Sequence, residues 1–166
     1  MNYLFLDTET TGLNDPRLVS LAYNLYGESM ISYGLFRPSK PINEEAMSVH
    51  HITDKMLKNK PLFKDSPDFH KLQKLCDENY IVAHNAQFDI RVLKNEGIII
   101  DEKYVLCTYQ LSKKAYPQAP CHKLQFLRYY LDLEVDAVAH NAMGDVMVLQ
   151  ALFDRVKHCQ NMGTTV

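Results

Sequence analysis

Short apolar runs separated by turn residues fill the first part of the chain, and this pattern is typical of β-strands. The run Tyr3–Glu9 is apolar and aromatic until it reaches two acids, so it predicts a buried central strand. The runs Leu18–Tyr26 and Met30–Arg37 are joined at Gly27–Ser29. Together with the first run they predict an antiparallel meander.

The rest of the chain is dominated by helical spacing. A long loop is predicted over Pro38–Pro61. The predicted elements after it are a helix over Ser66–Glu78, a strand over Tyr80–Ala83, a helix over Ala86–Glu96, a short strand over Tyr104–Cys107 and three further helical segments. Asn85 is the predicted N-cap of the helix over Ala86–Glu96, and Gly97 is its predicted stop. In the last of these segments the apolar side chains fall at helical spacing: Val146, Leu149, Leu152, Phe153 and Val156. The order predicts an α/β fold, a mixed sheet with helices on its faces.

Asp7 and Glu9 close the first predicted strand. Because side chains alternate along a strand, the two acids share one face, with Cα atoms roughly 6.5 Å apart. Carboxylates at that spacing can converge on ions held about 4 Å apart. Oxygen ligands favour Mg²⁺ or Mn²⁺, so the pair predicts a site for two such ions. Solvated strand-end acids are the alternative for this motif taken alone.

Two further acids lie near predicted helix starts, where open sheets gather their ligand sites. Asp89 falls in the first turn after the strand over Tyr80–Ala83, and Asp145 falls near the start of the last helix. His140 precedes Asp145 in a loop, from which it could reach whatever Asp145 binds. Stabilisation of the helix dipole is the alternative for the acids, and simple solvation is the alternative for the histidine.

The segments that carry these residues read D-T-E-T-T-G-L from Asp7, H-N-A-Q-F-D up to Asp89 and H-x4-D from His140 to Asp145. They resemble the three exonuclease motifs of the DEDDh 3'-5' exonucleases. The first motif is similar to that of the proofreading branch, represented by the epsilon subunit of bacterial DNA polymerase III, because it has Thr-Glu-Thr where oligoribonucleases have Met-Glu-Met. The resemblance implies a ribonuclease H-like, five-stranded mixed sheet flanked by helices.

The resemblance also implies a reaction, the hydrolysis of the terminal phosphodiester of DNA to release nucleoside 5'-monophosphates. By this resemblance Asp7 bridges two ions, Glu9 and Asp145 complete one site, and Asp89 reaches the second. His140 is then the general base. The residues that the resemblance places around the terminal nucleotide are Thr10, Thr11, Gly12, Leu13, His50 and Phe88.

Alternatives remain open for several of these residues. Phe88 also fits an ordinary core position, and His50 also fits a cap or a solvated side chain. We interpret His84, at the start of the second motif, as a structural hydrogen-bonding residue. His51 stands where many relatives have glycine, and Gly144 lies inside a helical first turn, where it costs up to about 1 kcal/mol relative to alanine.

The expected partner is nucleic acid with a free 3' end. Thr10, in place of a bulky apolar residue, favours DNA, and a pocket for one splayed nucleotide favours single strands. An exoribonuclease of the ribonuclease T or oligoribonuclease type is the alternative function, and a non-catalytic nucleic-acid-binding module is a third. A polymerase is a possible partner, but no linker or tail of the kind that would tether an epsilon-like subunit supports it, so free-standing action is an equal alternative.

Composition adds outer limits to this picture. The 166 residues fit a single exonuclease domain over 1–166, with a frayed tail over 160–166. The net charge of −2 argues against tight wrapping of duplex nucleic acid. Two groups of basic residues fit either a phosphate track or a solvated face: Lys55, Lys58, Lys60 and Lys64; Lys113, Lys114, Lys123 and Arg128. No C-x-x-C pair, apolar leader or membrane-length run is found, so we expect a cytoplasmic protein without membrane attachment.

Overall fold

The computed structural model of the protein describes residues 1–162. Within that range a five-stranded sheet is flanked by seven α-helices. The strands are β1 (Tyr3–Thr10), β2 (Leu18–Leu25), β3 (Ser32–Leu35), β4 (Tyr80–Ala83) and β5 (Val105–Cys107). The helices are α1 (Glu44–His50), α2 (Asp54–Leu57), α3 (Pro67–Glu78), α4 (Gln87–Asn95), α5 (Thr108–Ala115), α6 (Leu124–Tyr130) and α7 (Ala142–Met162).

The sheet has the order β3-β2-β1-β4-β5. The first three strands form the predicted antiparallel meander, whereas β4 runs parallel to both β1 and β5. The predicted α/β fold with a mixed five-stranded sheet is therefore confirmed. The strand that carries the first two acids, β1, lies at the centre of the sheet.

Alternate side chains of β1 are buried in different layers of the core. Leu4 and Leu6 pack in the cluster that contains residues of α3 and α4. Phe5 packs on the opposite face, against Val146 and Phe153 of α7. Asp7 and Glu9 continue the alternation from Phe5 and so lie on the α7 face.

The partner of β1 changes along its length. Its pairing with β4 ends at the Phe5–Val82 pair, while its pairing with β2 continues to Thr10. Because β4 ends at Ala83, the first turn of α4 follows the sheet edge beside the second half of β1. A helix therefore meets backbone groups of β1 that a strand would otherwise have paired.

The segment predicted as a long loop, Pro38–Pro61, contains two helices, and that prediction is wrong. Asn43 provides the start signal of α1, because its side-chain oxygen accepts a hydrogen bond from the Ala46 N–H at 2.7 Å. His51 ends α1 with a φ of 59°. That left-handed conformation is one that glycine would adopt without strain.

The predicted N-cap of α4 is also wrong. Asn85 has a φ of 62° and lies in a turn, where its carbonyl oxygen accepts from the Phe88 N–H at 3.0 Å. The helix begins at Gln87, and Ala86 occupies the capping position without a side-chain hydrogen bond. Asparagine favours both left-handed turns and helix caps, and here it adopts the left-handed turn.

Smaller differences concern the ends of elements. β3 covers Ser32–Leu35 and is shorter than the predicted run. The chain has left the sheet by Arg37, whose N–H donates to the carbonyl of Pro61 at 2.8 Å. α7 continues to Met162, so the first residues of the predicted tail are helical, and residues 163–166 lie outside the described range. Among the described residues no helix is long and apolar enough to span a membrane.

Candidate active site

Three carboxylates from two elements converge on one point. Asp7 and Glu9 project from one face of β1, and Asp145 projects toward them from the first turn of α7. One oxygen of each carboxylate lies within 4.8 Å of the other two. The strand alternation and the packing of α7 on Phe5 are what bring the three acids together.

Asp89 approaches the same strand from α4 and is held by Thr8. Its Oδ1 accepts hydrogen bonds from the Thr8 backbone N–H at 3.1 Å and from the Thr8 hydroxyl at 2.7 Å. The Asp89 side chain is almost fully buried, with 3% of its surface exposed. It lies outside the group of three carboxylates, yet its charge acts on Asp7.

Crowding and burial make the four acids unusually weak. Burial raises the pKa of the Asp7 carboxyl well above its ordinary value, and the three neighbouring carboxylates raise it further. Burial, with the charges of Asp145 and Asp89, raises the pKa of Glu9 to about 8. Burial raises the pKa of Asp89 to about 7 although the bonds from Thr8 oppose the change. Such a cluster is stabilised by cations, and oxygen-only ligands fit Mg²⁺ or Mn²⁺.

His140 lies beside Asp145 at the entrance to α7. The Asp145 N–H donates to the carbonyl of Asn141 at 2.9 Å, and the φ of 56° at His140 marks a tight turn. The imidazole is exposed and lines a cavity of about 170 Å³ together with Glu9 and His50. The predicted general base therefore shares a cavity with one of the predicted metal ligands.

Gly144 allows this turn to pack closely. A Cβ added at Gly144 would lie 2.3 Å from the carbonyl oxygen of Val138, in the loop before His140. A larger residue would push the loop away from α7. The packing explains why the helix contains a residue of low helix propensity at this point.

A second cavity, of about 330 Å³, opens beside the acids and shares Glu9 with them. Five of the six residues predicted around the terminal nucleotide line it: Thr10, Gly12, Leu13, His50 and Phe88. Thr11 does not, because it is buried and its hydroxyl accepts from the Arg17 N–H at 3.1 Å. These assignments to substrate remain predictions, while the shared cavity is a property of the fold.

Gly12 and His50 shape that cavity from two sides. Gly12 has a φ of 142°, and a Cβ there would lie 2.3 Å from the side-chain nitrogen of Asn43. The His50 ring accepts from the Ile52 N–H at Nδ1 and donates from Nε2 to the carbonyl of Thr10 at 3.1 Å. Because Nδ1 accepts a hydrogen bond it carries no proton, so the ring is neutral and links α1 to β1, and burial lowers the pKa of His50 in the same direction.

Phe88 is half-buried, with its ring packed against the core and one side facing the cavity. The guanidinium carbon of Arg91 lies 5.5 Å from the centre of the ring. Arg91 also donates to the carbonyl of Leu13 at 3.3 Å. Both interpretations of Phe88, core residue and cavity wall, therefore describe part of its surroundings.

His84 has the structural role that its position predicted. Its Nε2 donates to the carbonyl of His122 at 2.8 Å, and its Nδ1 lies 2.9 Å from the hydroxyl of Thr108. Burial lowers the pKa of His84 to about 4, so the ring is neutral and Nδ1 accepts the hydroxyl proton. His84 thus ties the end of β4 to α5 and to the segment before α6.

The sequence did not reveal several residues that contact the site. Thr8 holds Asp89, Asn43 packs against Gly12, and Gln125 of α6 donates from Nε2 to Oδ1 of Asp145. Strand alternation places Thr8 on the face of β1 opposite Asp7 and Glu9, but its contact with Asp89 depends on the fold. The contact of Gln125 with Asp145 depends on the folding of distant segments, and no local signal indicates it.

Comparisons with known proteins agree with this arrangement. A family model described as an exonuclease matches residues 4–153, a span that contains all four acids and His140. The DNA polymerase III subunit epsilon of Treponema pallidum (strain Nichols) is 33% identical over 159 residues, which cover 89% of this chain and 72% of that protein. The solved structure of exonuclease X in complex with 5' overhanging duplex DNA has a TM-score of 0.79 and 26% identity, covering 96% of this chain and 93% of that one.

Some relatives are much longer than this chain. A DNA polymerase III subunit epsilon-like protein of Rhodobacter capsulatus is 28% identical over 169 residues. The match covers 94% of this chain and 24% of that protein. The likeness to this relative therefore concerns one part of a larger molecule.

Proposed function

This chain belongs to the exonuclease family, and we propose that it acts as a 3'-5' exonuclease that releases nucleoside 5'-monophosphates from the end of a DNA strand. The family match agrees with the resemblance to DEDDh exonucleases on which the sequence interpretation rested. The single observation that carries the proposal is the convergence of the Asp7, Glu9 and Asp145 oxygens within 4.8 Å. The cavity that shares Glu9 has room for one nucleotide beside them.

Two divalent ions, Mg²⁺ or Mn²⁺, are the proposed cofactors. The donor set supports this choice, because it consists of carboxylate oxygens and contains neither the thiolates nor the paired imidazoles that zinc favours. Asp7, Glu9 and Asp145 would hold the ions, and Asp89 would complete the set from the edge of β1, where Thr8 holds it. The chemistry that bound ions supply is a lower pKa of a water molecule and stabilisation of charge on the phosphate.

The remaining steps belong to side chains of the protein. His140 accepts a proton at its imidazole from the water that attacks the terminal phosphorus. The new bond joins that oxygen to phosphorus, and the bond from phosphorus to the 3' oxygen of the preceding nucleotide breaks. That oxygen takes up a proton from solvent, so the shortened strand leaves with a 3' hydroxyl and the terminal nucleotide with a 5' phosphate. The cavity around Phe88 and His50 holds the departing nucleotide and fixes the phosphate beside the acids. Alignment of this kind contributes a large part of the barrier reduction in such reactions.

DNA is the proposed substrate, with single-stranded ends preferred. Exonuclease X, the structural neighbour, was solved with 5' overhanging duplex DNA, so a duplex with a 5' overhang belongs in the test beside the single strand. An exoribonuclease remains the second candidate, since Thr10 is the sequence feature that favours DNA. Free-standing action and association with a polymerase stay open as alternatives, and a cytoplasmic location stays a prediction.

A degradation assay tests the proposal. Single-stranded DNA, single-stranded RNA and 5' overhanging duplex DNA, each labelled at the 5' end, are incubated with Mg²⁺, with Mn²⁺ or with chelator. We expect a ladder that shortens from the 3' end of DNA, that needs metal, and that is absent with Asp7→Asn. Faster shortening of RNA would favour the second candidate, and no metal-dependent shortening of any substrate would refute an exonuclease activity of this chain.

A further inference from the structure

Helix α6 carries a glutamine that contacts one of the four acids and an arginine that contacts the glutamine. Gln125 donates from Nε2 to Oδ1 of Asp145. The Gln125 side-chain oxygen in turn lies 3.5 Å from Nη1 of Arg128. A chain of polar contacts therefore leads from the guanidinium to a predicted metal ligand.

Arg128 also holds the segment between α6 and α7. Its Nη1 donates to the carbonyl of Ala137 at 2.9 Å, and its Nη2 donates to the carbonyl of Val135. The backbone takes part as well, because the carbonyl of Arg128 accepts from the Leu133 N–H at 2.8 Å. The segment that ends at His140 is thus attached to one arginine at three points.

The chemistry of the two side chains suits these contacts. A terminal carboxylate rotation is broad and two-fold, so Asp145 needs a fixed donor to hold its plane. The amide of Gln125 supplies that donor without adding positive charge, and it leaves the second oxygen to a cation. Arg128 offers five donors in a rigid plane, which is the geometry needed to bind several carbonyl oxygens at once.

We propose that Gln125 and Arg128 are positioning residues of the active site. Gln125 orients the Asp145 carboxylate toward the bound cation, and Arg128 fixes both Gln125 and the segment that carries His140. The inference rests on the function proposed above, and it adds α6 to the elements on which that function depends. Neither side chain takes part in the chemical step.

Calorimetric titration with Mn²⁺ tests the part played by Gln125. Gln125→Leu keeps most of the side-chain volume and removes the donor. Because outer hydrogen bonds to a metal ligand are worth 10- to 100-fold in metal affinity or activity, we expect at least a tenfold loss of Mn²⁺ affinity. Gln110→Leu, at an exposed glutamine of α5, is the matched control and should bind as the wild type does. If Gln125→Leu does not fold, Gln125→Asn should weaken binding in the same direction.

Steady-state kinetics test the part played by Arg128. Arg128→Met removes the donors to the segment before His140, so we expect kcat to fall at least tenfold while KM for DNA changes less than threefold. Arg155→Met, at an exposed arginine of α7, is the control for loss of charge. A role in phosphate binding would instead raise KM, and a purely structural role would lower the melting temperature without changing kcat at low temperature.

The outcomes distinguish the positioning roles of Gln125 and Arg128 from the proposed exonuclease activity. Wild-type Mn²⁺ affinity in Gln125→Leu, or wild-type kcat in Arg128→Met, would overturn the corresponding part of this inference while the exonuclease proposal stands. If the wild type binds Mn²⁺ but degrades no substrate, the exonuclease proposal fails. Weaker binding by Gln125→Leu would still support the orienting role of Gln125.

Discussion

The backbone N–H and the hydroxyl of Thr8 both donate to the same oxygen of Asp89, at 3.1 Å and 2.7 Å. Thr8 stands between Asp7 and Glu9 in the sequence and points to the other face of β1. One strand therefore presents two acids on one face and holds a third acid at its edge through two hydrogen bonds. These hydrogen bonds hold α4 against the part of β1 that is not paired with β4.

Thr8→Val tests how much the hydroxyl hydrogen bond from Thr8 to Asp89 contributes to activity. The change removes the hydroxyl and keeps the branched shape, so Asp89 retains only the backbone donor. We expect about a tenfold fall in activity at limiting Mg²⁺, with recovery at high Mg²⁺, because Asp89, a proposed metal ligand, loses one of its two hydrogen-bond donors. Activity measured across a Mg²⁺ series is the test.

Thr53→Val is the control for this comparison, since Thr53 precedes α2 and makes no side-chain capping bond. Equal Mg²⁺ dependence in Thr8→Val and Thr53→Val would show that the hydroxyl of Thr8 does not support the site.

His140→Ala separates proton transfer from metal binding. A general base is worth typically 10² to 10⁴ in rate, so kcat should fall within that range. Mn²⁺ affinity should change little, because His140 is not among the three converging carboxylates. Single-turnover rates on DNA and a Mn²⁺ titration, run on the same preparation, measure both quantities. A parallel loss of metal affinity would assign His140 a ligand role.

Gly12→Ala tests the shape of the larger cavity. A Cβ at this position would lie 2.3 Å from the Asn43 side chain, and the backbone φ of 142° disfavours any residue with a Cβ. We expect a rise in KM for DNA of at least tenfold and a lower melting temperature. The KM is measured with substrate in excess, at saturating metal.

Gly27→Ala is the matched control, because Gly27 has a φ of 89° but nothing within 4 Å of the added atom. This variant should lose about 1–2 kcal/mol from backbone strain and keep the wild-type KM. A similar KM in both variants would mean that the contact between Gly12 and Asn43 does not shape the binding site.

Stability should depend on pH through His84. Burial lowers the pKa of His84 from 6.5 to about 4, so between these values the unfolded chain binds a proton that the folded protein does not. The contribution is therefore complete above pH 6.5 and is lost as the pH falls toward 4, by roughly 1 kcal/mol per pH unit. Urea unfolding at several pH values measures this loss.

His84→Gln supplies the reference for that experiment, since glutamine does not titrate. The difference in unfolding free energy between the wild type and His84→Gln should shrink as the pH falls. A constant difference between pH 7 and pH 4 would contradict a neutral, buried His84.

Local rules of secondary structure are enough to predict that three of the acids lie close together. Strand alternation placed Asp7 and Glu9 on one face, and the start of a helix placed Asp145 within reach of them, because both rules act over a few residues. The prolines and charges of Pro38–Pro61 favour a loop and obscure the cap that Asn43 provides to α1. Asn85 fits a helix cap and a left-handed turn about equally well by local preference, and the structure has the turn.

The missing parts of the site are those that only tertiary packing creates. Asp89 meets Thr8 because β4 is shorter than β1, and Gln125 meets Asp145 because α6 packs beside α7. The approach of Gly144 to Val138 likewise joins a helix to a preceding loop. Contacts between separate elements leave no periodic pattern in a single sequence, so they could be found only in the folded chain.

Analysis of the reaction product in ¹⁸O-labelled water tests the central claim most directly. The wild type is incubated with Mg²⁺ and a single-stranded DNA whose last nucleotide carries a distinct base label, and the first released product is examined by mass spectrometry. The account predicts that this last nucleotide appears first, as a 5'-monophosphate with one ¹⁸O on its phosphate. Release of a 3'-phosphate, of the 5' nucleotide first, or of longer fragments before any mononucleotide would contradict hydrolysis at the 3' end.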